Sequence, residues 1–340
     1  MHVSQDPSTF TPDAVAHVVR ALSAAERLVP VISGAVGMGK SAVLRSAARR
    51  FSERDGAQLI VIPSGEIAGE PHLDKLIAER LGVPSPARPT SADDGPSEFV
   101  RMIVRASLSQ RIVLAVDDVD QLLYKRPAML GAIRDLLAAE QVRLACTVGA
   151  DTMDRLAGPR GLLTQLAPSR LTVITLDVLP VAAAVALARR RNPALTTREL
   201  REVAFGAGGH PAAIAFLARF AALGLCRRQP SQLLTLAADF AGHVYGGPWA
   251  SLGPQQRAIM IALASTPEAQ TAASVSLRLT LPSSHVSAQL SRLRAEGMIS
   301  SERRGHFRVA PLLFAWLRQH APAALGDAAV TASLAVSGGE

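Results

Sequence analysis

One octapeptide constrains this chain more than any other feature, because residues 34–41 read G-A-V-G-M-G-K-S. The apolar segment Val29–Ile32 precedes it, and Ala42–Leu44 after it opens a helical pattern. Glycines let consecutive backbone N–H groups wrap a phosphate, and a helix that begins there adds the positive end of its dipole. The segment therefore predicts a strand, a phosphate-binding loop and a helix, in that order.

The side chains of this loop have predicted roles in binding a nucleoside triphosphate. Lys40 would reach the β- and γ-phosphates, and the hydroxyl of Ser41 would bind Mg²⁺, so ATP or ADP with Mg²⁺ is the expected cofactor set. The chain holds only three lysines, at positions 40, 75 and 125, which makes a chance lysine in the motif improbable. The alternative is a plain glycine-rich turn before a helix. The predicted nucleotide cradle is Gly34, Ala35, Val36, Gly37, Met38, Gly39, Lys40, Ser41 and Ala42.

A pair of carboxylates follows the apolar run Ile112–Val116. Asp117 is predicted to hold the metal through water, and Asp118 to polarise the attacking water. Such pairs also cap helices, and Asp120 is the weaker candidate, with capping as its ordinary role. Thr147 ends the next apolar run and is a candidate sensor of the γ-phosphate; packing within a strand is the alternative.

Short β-like runs alternate with helical stretches over the first two-thirds of the chain, which predicts an α/β fold with a parallel sheet. Helical stretches are expected near 40–53, 70–81, 96–109, 127–139 and 152–166, with an exposed loop over 82–95. The predicted domains are an α/β core over 1–178, a helical lid over 179–247, a third unit over 248–320 and a flexible tail over 321–340. The predicted strands are Leu28–Ser33, Gln58–Ile62, Ile112–Val116, Val142–Val148 and Leu171–Leu176.

Composition narrows the setting of such a chain. Its net charge of +8 and pI near 10.6 weakly favour phosphate-rich partners. No uncharged run approaches the roughly 20 apolar residues that a membrane span needs, and the N-terminus lacks the features of a secretion signal, so we expect a cytoplasmic protein without a membrane partner. Cys146 and Cys226 lack ligand partners at metal spacing and are predicted to be core thiols.

Taken in order, the glycine-rich loop, the carboxylate strand, the Thr147 strand and the helical stretch resemble AAA+ and STAND ATPases. The branch with archaeal-type STAND ATPases, origin-recognition-like initiators and the ExeA/transposition group is the most similar, over roughly residues 10 to 320. Three features depart from the pattern: Asp118 stands where glutamate is frequent, the F-x-x-R-E-x-E-L box is missing before the first strand, and no sensor 2 arginine is evident.

The resemblance implies further site residues. The segment 166–171 is similar to the arginine-finger region, so Arg170 would reach the γ-phosphate of a neighbouring subunit in an ATP-dependent homo-oligomer, with Arg160 as the second candidate and a surface role as the alternative. The segment 205–212 is similar to the lid motif G-x-P, which implies that His210 and Pro211 cover the adenine and ribose. A helix stop followed by a new helix start explains the same residues equally well.

Residues 254–319 read helix, helix, helix, hairpin, helix, which resembles a winged helix-turn-helix. In the third helix Val286, Leu290 and Leu293 share one face. The opposite face and the basic hairpin suit contact with double-stranded DNA. Packing against the ATPase or a protein partner is the alternative. The candidate DNA contacts are Ser287, Gln289, Arg292, Arg294, Arg303, Arg304, His306 and Arg308.

Three functions are compatible with these features. The first is an ATP-hydrolysing switch that couples nucleotide state to DNA binding in replication, transposition or transcription. The second is a signalling STAND ATPase whose winged helix serves protein contact and autoinhibition. A small-molecule kinase is the third and the weakest, because no acceptor-binding constellation accompanies the loop.

Overall fold

The computed structural model describes residues 11–63, 70–84, 98–125, 129–150, 152–153, 156, 161, 163–164, 169–221, 230–266, 268–303 and 305–320. The chain divides into two compact units. The first comprises Met1–Gly34 and Gly39–Leu176, and the second comprises Asp177–Glu340 together with the short segment Ala35–Met38. The finer division of the second unit into a lid and a third domain stays a prediction.

A five-stranded parallel sheet forms the first unit, with strand order β2-β3-β4-β1-β5. Parallel strands require crossover connections, and the helices of this unit provide them. The central strands β1, β3 and β4 are almost entirely buried, as expected for a sheet that is covered on both faces. The strands are β1 Val29–Gly34, β2 Gln58–Pro63, β3 Ile112–Asp117, β4 Val142–Gly149 and β5 Leu171–Thr175.

The predicted α/β architecture is confirmed, and all five strands lie within one residue of their predicted bounds. Short apolar runs bounded by polar residues define strands well, whereas helix ends fray and are less sharply encoded. Most of the predicted helix 152–166 and of the loop 82–95 lies outside the described residues. The helices of this unit are α1 Pro12–Ser23, α2 Lys40–Asp55, α3 Glu70–Leu81, α4 Glu98–Ser107, α5 Val119–Lys125 and α6 Met129–Ala138.

Helices dominate the first part of the second unit. Thr196 caps α8 through a capping box: its hydroxyl accepts from the Glu199 amide at 3.3 Å, and its own amide donates to the Glu199 carboxylate at 2.7 Å. In the described residues between 179 and 247 the regular elements are all helices, as the sequence predicts for this stretch. The helices are α7 Val181–Arg191, α8 Thr197–Gly206, α9 Pro211–Ala221 and α10 Pro230–Ser251.

The predicted boundary near Pro248, after Gly246 and Gly247, does not interrupt α10. The helix continues through all three residues to Ser251. Proline inside a helix removes one hydrogen bond and crowds the preceding turn, so packing must offset the cost. The Trp249 ring meets the Trp316 ring edge to face, with centroids 5.9 Å apart. Tertiary packing here overrides the local signal.

The predicted helix, helix, helix, hairpin, helix order is observed in the last part of the second unit, with one addition. A two-residue strand β6 joins the hairpin in an antiparallel sheet of order β6-β8-β7. Val286, Leu290 and Leu293 are fully buried, which confirms the predicted apolar face. The elements are α11 Pro254–Ala264, β6 Gln270–Thr271, α12 Ala272–Leu279, α13 Ser283–Ala295, β7 Ile299–Arg303, β8 His306–Val309 and α14 Pro311–His320.

The described residues also test the predictions about membrane spans and about the cysteines. None of the helices in the described ranges combines the length and the apolar character needed to cross a membrane. Cys146 is fully buried on β4, and burial raises the pKa of its thiol to about 12, so it is a protonated core thiol as predicted. Cys226 lies outside the described residues.

Candidate nucleotide site

The glycine-rich loop joins β1 to α2, as its sequence predicts. Gly39 lies immediately before α2 with φ +90°, a left-handed conformation that glycine adopts without strain, and Lys40 is the first helical residue. The Lys40 ammonium donates to the carbonyl of Gly34, the last residue of β1, at 2.8 Å, and the residue is 8% exposed. The lysine is therefore held at the carboxyl end of the central strand, where a phosphate on the helix N-terminus would lie.

The middle of the loop, Ala35–Met38, groups with the second unit. His210 contacts the Val36 carbonyl through Nε2 at 2.9 Å, and the Ala212 amide donates to the Gly37 carbonyl at 3.2 Å. Because Nδ1 of His210 accepts from the Ala213 amide at 3.3 Å, the ring proton belongs on Nε2, which donates to Val36. The resemblance implied that His210 covers the nucleotide, with a helix stop as the equal alternative. The structure shows its ring on the loop backbone, and the role toward a nucleotide stays a prediction.

Gly37 is required by this contact. Its φ is +78°, and a Cβ added there would lie 2.7 Å from His210 Cε1 and 2.9 Å from the Ala212 Cβ. Both distances are shorter than any ordinary carbon contact. Pro211 is half-buried at the first position of α9, where a missing N–H costs nothing. Its predicted role over the nucleotide stays a prediction.

The structure brings the two aspartates and Thr147 together. Thr147 is fully buried on β4, beside the end of β3. Its hydroxyl donates to Asp117 Oδ1 at 2.7 Å and accepts from the Asp118 amide at 2.7 Å. Asp118 has φ +53°, the left-handed region, which ends the strand and turns the chain into α5. The carboxylates therefore stand at the same edge of the sheet as Lys40.

Asp118 is electrostatically distinct from an ordinary surface aspartate. Burial raises its pKa, and the adjacent Asp117 charge raises it further, while the Lys40 ammonium opposes both. Lys40 is thus close enough to influence this carboxyl group. A carboxylate with a raised pKa is a stronger base, which suits a residue expected to polarise water.

The donor set fits Mg²⁺ at this edge. Mg²⁺ prefers oxygen ligands, and it takes one or two carboxylates with hydroxyl, phosphate and water oxygens. Ser41 supplies a hydroxyl and Asp117 a carboxylate that Thr147 already orients. Arg45, which sequence reasoning missed, donates to the Ser41 carbonyl at 3.1 Å and lies 3.9 Å from Asp117 Oδ2. Its position four residues after Ser41 on a helix was the available signal.

Asp120 is also close to this cluster and is nearly buried, at 6% exposure. Thr152 donates its hydroxyl to Asp120 Oδ2 at 3.1 Å, while Oδ1 has no hydrogen-bond partner among the described residues. Asp120 is the second residue of α5, so its charge lies in the first turn, where the positive helix end favours it. Its predicted alternative roles stay predictions.

Arg170 lies at the amino ends of the strands, opposite the end that carries Lys40 and the aspartates. It directly precedes β5, where its carbonyl accepts from the Val29 amide at 2.7 Å, so it stands at the amino ends of the strands. Burial lowers the pKa of Arg170, and the nearby Arg27 guanidinium lowers it further. Arg27 donates to the carbonyls of Leu137 and Ala139, both at 2.6 Å. The arginine-finger role of Arg170 stays a prediction, and Arg160 lies outside the described residues.

The candidate DNA contacts are distributed over α13 and the hairpin. Ser287, Arg292 and Arg294 are exposed on α13, opposite its apolar face, whereas Gln289 is half-buried. On β8, His306 and Arg308 are half-buried, and Arg308 Nε donates to the Ser300 hydroxyl at 3.4 Å. Arg303 ends β7, and Arg304 lies outside the described residues.

Comparisons with known proteins agree with this geometry. Residues 24–150 match the family model of the AAA domain. A Walker-type ATPase of Pyrococcus abyssi superposes with a TM-score of 0.62 at 14% identity, covering 94% of this chain and 96% of that one. The Orc1 protein of Aeropyrum pernix, solved in complex with DNA, superposes with a TM-score of 0.50 at 17% identity, covering 94% and 98%. No curated protein sequence matches the chain.

Proposed function

We propose that this chain, an AAA+ P-loop ATPase by its AAA domain and its fold, is a molecular switch that couples ATP binding and slow hydrolysis to DNA binding. The observation that carries the first half is the grouping of Lys40, Asp117 and Asp118 at the carboxyl edge of one parallel sheet. Mg²⁺ bound with the nucleotide would neutralise phosphate charge, and Ser41 and Asp117 would hold it. In this proposal Asp118 accepts the proton of the attacking water.

The second half rests on the exposed face of α13. Its apolar side chains are fully buried beneath it, so Ser287, Arg292 and Arg294 are free to face a partner. A short basic hairpin follows, and the order of elements resembles that of a winged helix-turn-helix. The similar Orc1 protein, whose structure contains DNA, supports the same partner. Arginines on a helix in the major groove can contact both phosphates and base edges, and arginines on a hairpin fit phosphates.

DNA binding is tested with a double variant of α13. We expect the purified chain to bind duplex DNA more tightly with ATP than with ADP, as measured by fluorescence anisotropy over a series of salt concentrations. Arg292→Ala/Arg294→Ala should weaken binding and reduce the slope of log K against log salt by about two, because each phosphate contact contributes about 0.9.

The control removes the same charge elsewhere. Arg49 and Arg50 are exposed on α2, so Arg49→Ala/Arg50→Ala should leave the slope unchanged. Lys40→Ala should abolish the difference between ATP and ADP. Equal salt slopes for all three variants and the wild type would remove DNA from the proposal.

A signalling switch is the second candidate, and one contact favours it. Gly297, in the turn after α13, packs on Ala35 of the phosphate loop, since a Cβ added to Gly297 would lie 2.6 Å from the Ala35 Cβ. Both residues belong to the second unit. Such a contact would hold the C-terminal elements in an inactive arrangement. This candidate predicts ADP that stays bound through purification and oligomerisation with ATP; a nucleotide-free monomer indifferent to ATP would contradict it.

A further inference from the structure

Thr147 occupies a position that a strand register defines. Val116 of β3 pairs with Cys146 of β4, so the following residues, Asp117 and Thr147, stand side by side on neighbouring parallel strands. Thr147 has no exposed surface. A β-branched residue suits a buried strand, and valine would fill the same volume. Packing would be satisfied equally well by valine, so the hydroxyl group of Thr147 needs another explanation.

The Thr147 hydroxyl forms a hydrogen bond with each of the two aspartates. It has one hydrogen, and that hydrogen lies on Asp117 Oδ1 at 2.7 Å. Its oxygen accepts from the Asp118 amide, also at 2.7 Å. A sensor of the γ-phosphate would have to direct this hydrogen at the phosphate and release Asp117. In the observed arrangement the hydroxyl instead orients the Asp117 carboxylate and accepts from the Asp118 amide.

We propose that Thr147 is a positioning residue, which orients the metal-binding carboxylate of Asp117 and fixes Asp118 at the end of β3. This inference rests on the proposed ATPase function. The terminal torsion of an aspartate is broad, so one short hydrogen bond to a charged oxygen restricts it strongly. The bond to the Asp118 amide holds a non-glycine residue in the left-handed conformation, which is uncommon without such support.

ADP separates this role from a sensor role, because ADP has no γ-phosphate. We would measure ADP affinity of the full-length chain by calorimetry, with Mg²⁺ and with EDTA. In Thr147→Val the gain in affinity that Mg²⁺ gives should fall by about tenfold, the size expected for one hydrogen bond to a charged group. Affinity for ADP in EDTA should stay at the wild-type value.

Rescue and control variants complete the design. Thr147→Ser keeps the hydroxyl and should retain most of the Mg²⁺ effect, even where the smaller side chain lowers Tm. Thr172→Val makes the same change on β5, half-buried and away from the aspartates, and should behave as wild type. In ATP hydrolysis, Thr147→Val should lower kcat by about tenfold with KM unchanged.

Two results would overturn the proposal. Should Thr147→Val keep the full Mg²⁺ effect on ADP but lose its preference for ATP over ADP, Thr147 is a γ-phosphate sensor. Should Thr147→Ser lose the Mg²⁺ effect as completely as Thr147→Val, the hydroxyl alone does not account for the effect, and the packing around residue 147 sets the position of Asp117 instead. A wild-type chain that binds no nucleotide would instead overturn the proposed ATPase function itself.

Discussion

At the scale of single residues, the two adjacent carboxylates differ in their environments. Thr147 donates to Asp117 Oδ1, which restricts the orientation of that carboxylate. Asp118 has a raised pKa through burial and through the charge of Asp117. The end of β3 thus carries one carboxylate that a hydrogen bond orients, and one whose pKa is raised. Under the proposed function, this shorter side chain in place of the glutamate frequent in AAA+ proteins would make hydrolysis slow.

Asp118→Asn should separate catalysis from binding. Asparagine keeps the shape but cannot accept the proton of water, so we expect kcat to fall by about 100-fold or more while ATP affinity stays near the wild-type value. Steady-state hydrolysis and nucleotide titrations would measure the two effects. A variant with wild-type kcat would show that Asp118 is not the base.

The same substitution should change stability with a defined dependence on pH. Because the pKa of Asp118 is raised in the folded state, the folded protein favours the protonated carboxyl group and is destabilised by the ionised one. The contribution of this group to stability is therefore complete below pH 3.8 and is lost as pH rises through the raised pKa. Asp118→Asn should therefore raise Tm near pH 7, and the gain should shrink as pH falls toward 3.8. Thermal melts at several pH values would measure it, and a gain independent of pH would contradict this account.

At the scale of elements, the turn between α8 and α9 depends on its glycines. Gly209 has φ +76°, and a Cβ there would lie 2.4 Å from the Leu179 carbonyl oxygen. The Leu179 amide donates to the Gly209 carbonyl at 2.8 Å, so the connection before α7 rests directly on this turn. Packing between chain segments therefore explains the glycine at position 209, independently of any role of residues 208–211 toward a nucleotide.

Gly209→Ala should destabilise the protein by at least about 2 kcal/mol, because the new methyl group meets backbone and the left-handed conformation is strained. Gly246 offers a matched control inside α10, where an added Cβ meets nothing within 4 Å. Gly246→Ala should stabilise by about 0.5–1 kcal/mol. Denaturant titrations would measure both, and equal midpoints for the two variants would contradict the steric account.

At the scale of the whole molecule, the phosphate loop is shared between the two units. Gly34 and the residues from Gly39 onward belong to the first unit, whereas the four residues between them belong to the second. Within the second unit, Val36 and Gly37 accept hydrogen bonds from His210 and from the Ala212 amide. A phosphate that orders the loop would therefore also stabilise the hydrogen bonds that the Val36 and Gly37 carbonyls accept from the start of α9.

Hydrogen exchange should detect this coupling. Adding ADP with Mg²⁺ should slow amide exchange in peptides covering 34–44 and also in peptides covering 205–221, because the Ala212 amide donates to the loop. Lys40→Ala should abolish both effects. Protection that is confined to the loop, with α9 unchanged, would show that these hydrogen bonds transmit nothing.

The sequence by itself determined the features that local pattern encodes. The spacing of glycines around Lys40 predicted a strand, loop and helix, and short apolar runs predicted five strands to within one residue. The period of Val286, Leu290 and Leu293 predicted which face of α13 is buried. These features depend on residues a few positions apart, because side-chain periodicity and local backbone preferences are sufficient to produce them.

Only the tertiary structure decided which distant residues meet. The strand order that sets β4 beside β3 gives Thr147 its two partners, some 30 residues away in the chain. His210 meets Val36 across 174 residues. Pro248 remains inside a helix, against its own propensity. In each case the outcome depends on which distant segments of the chain pack together, and no periodicity in the sequence records that pairing.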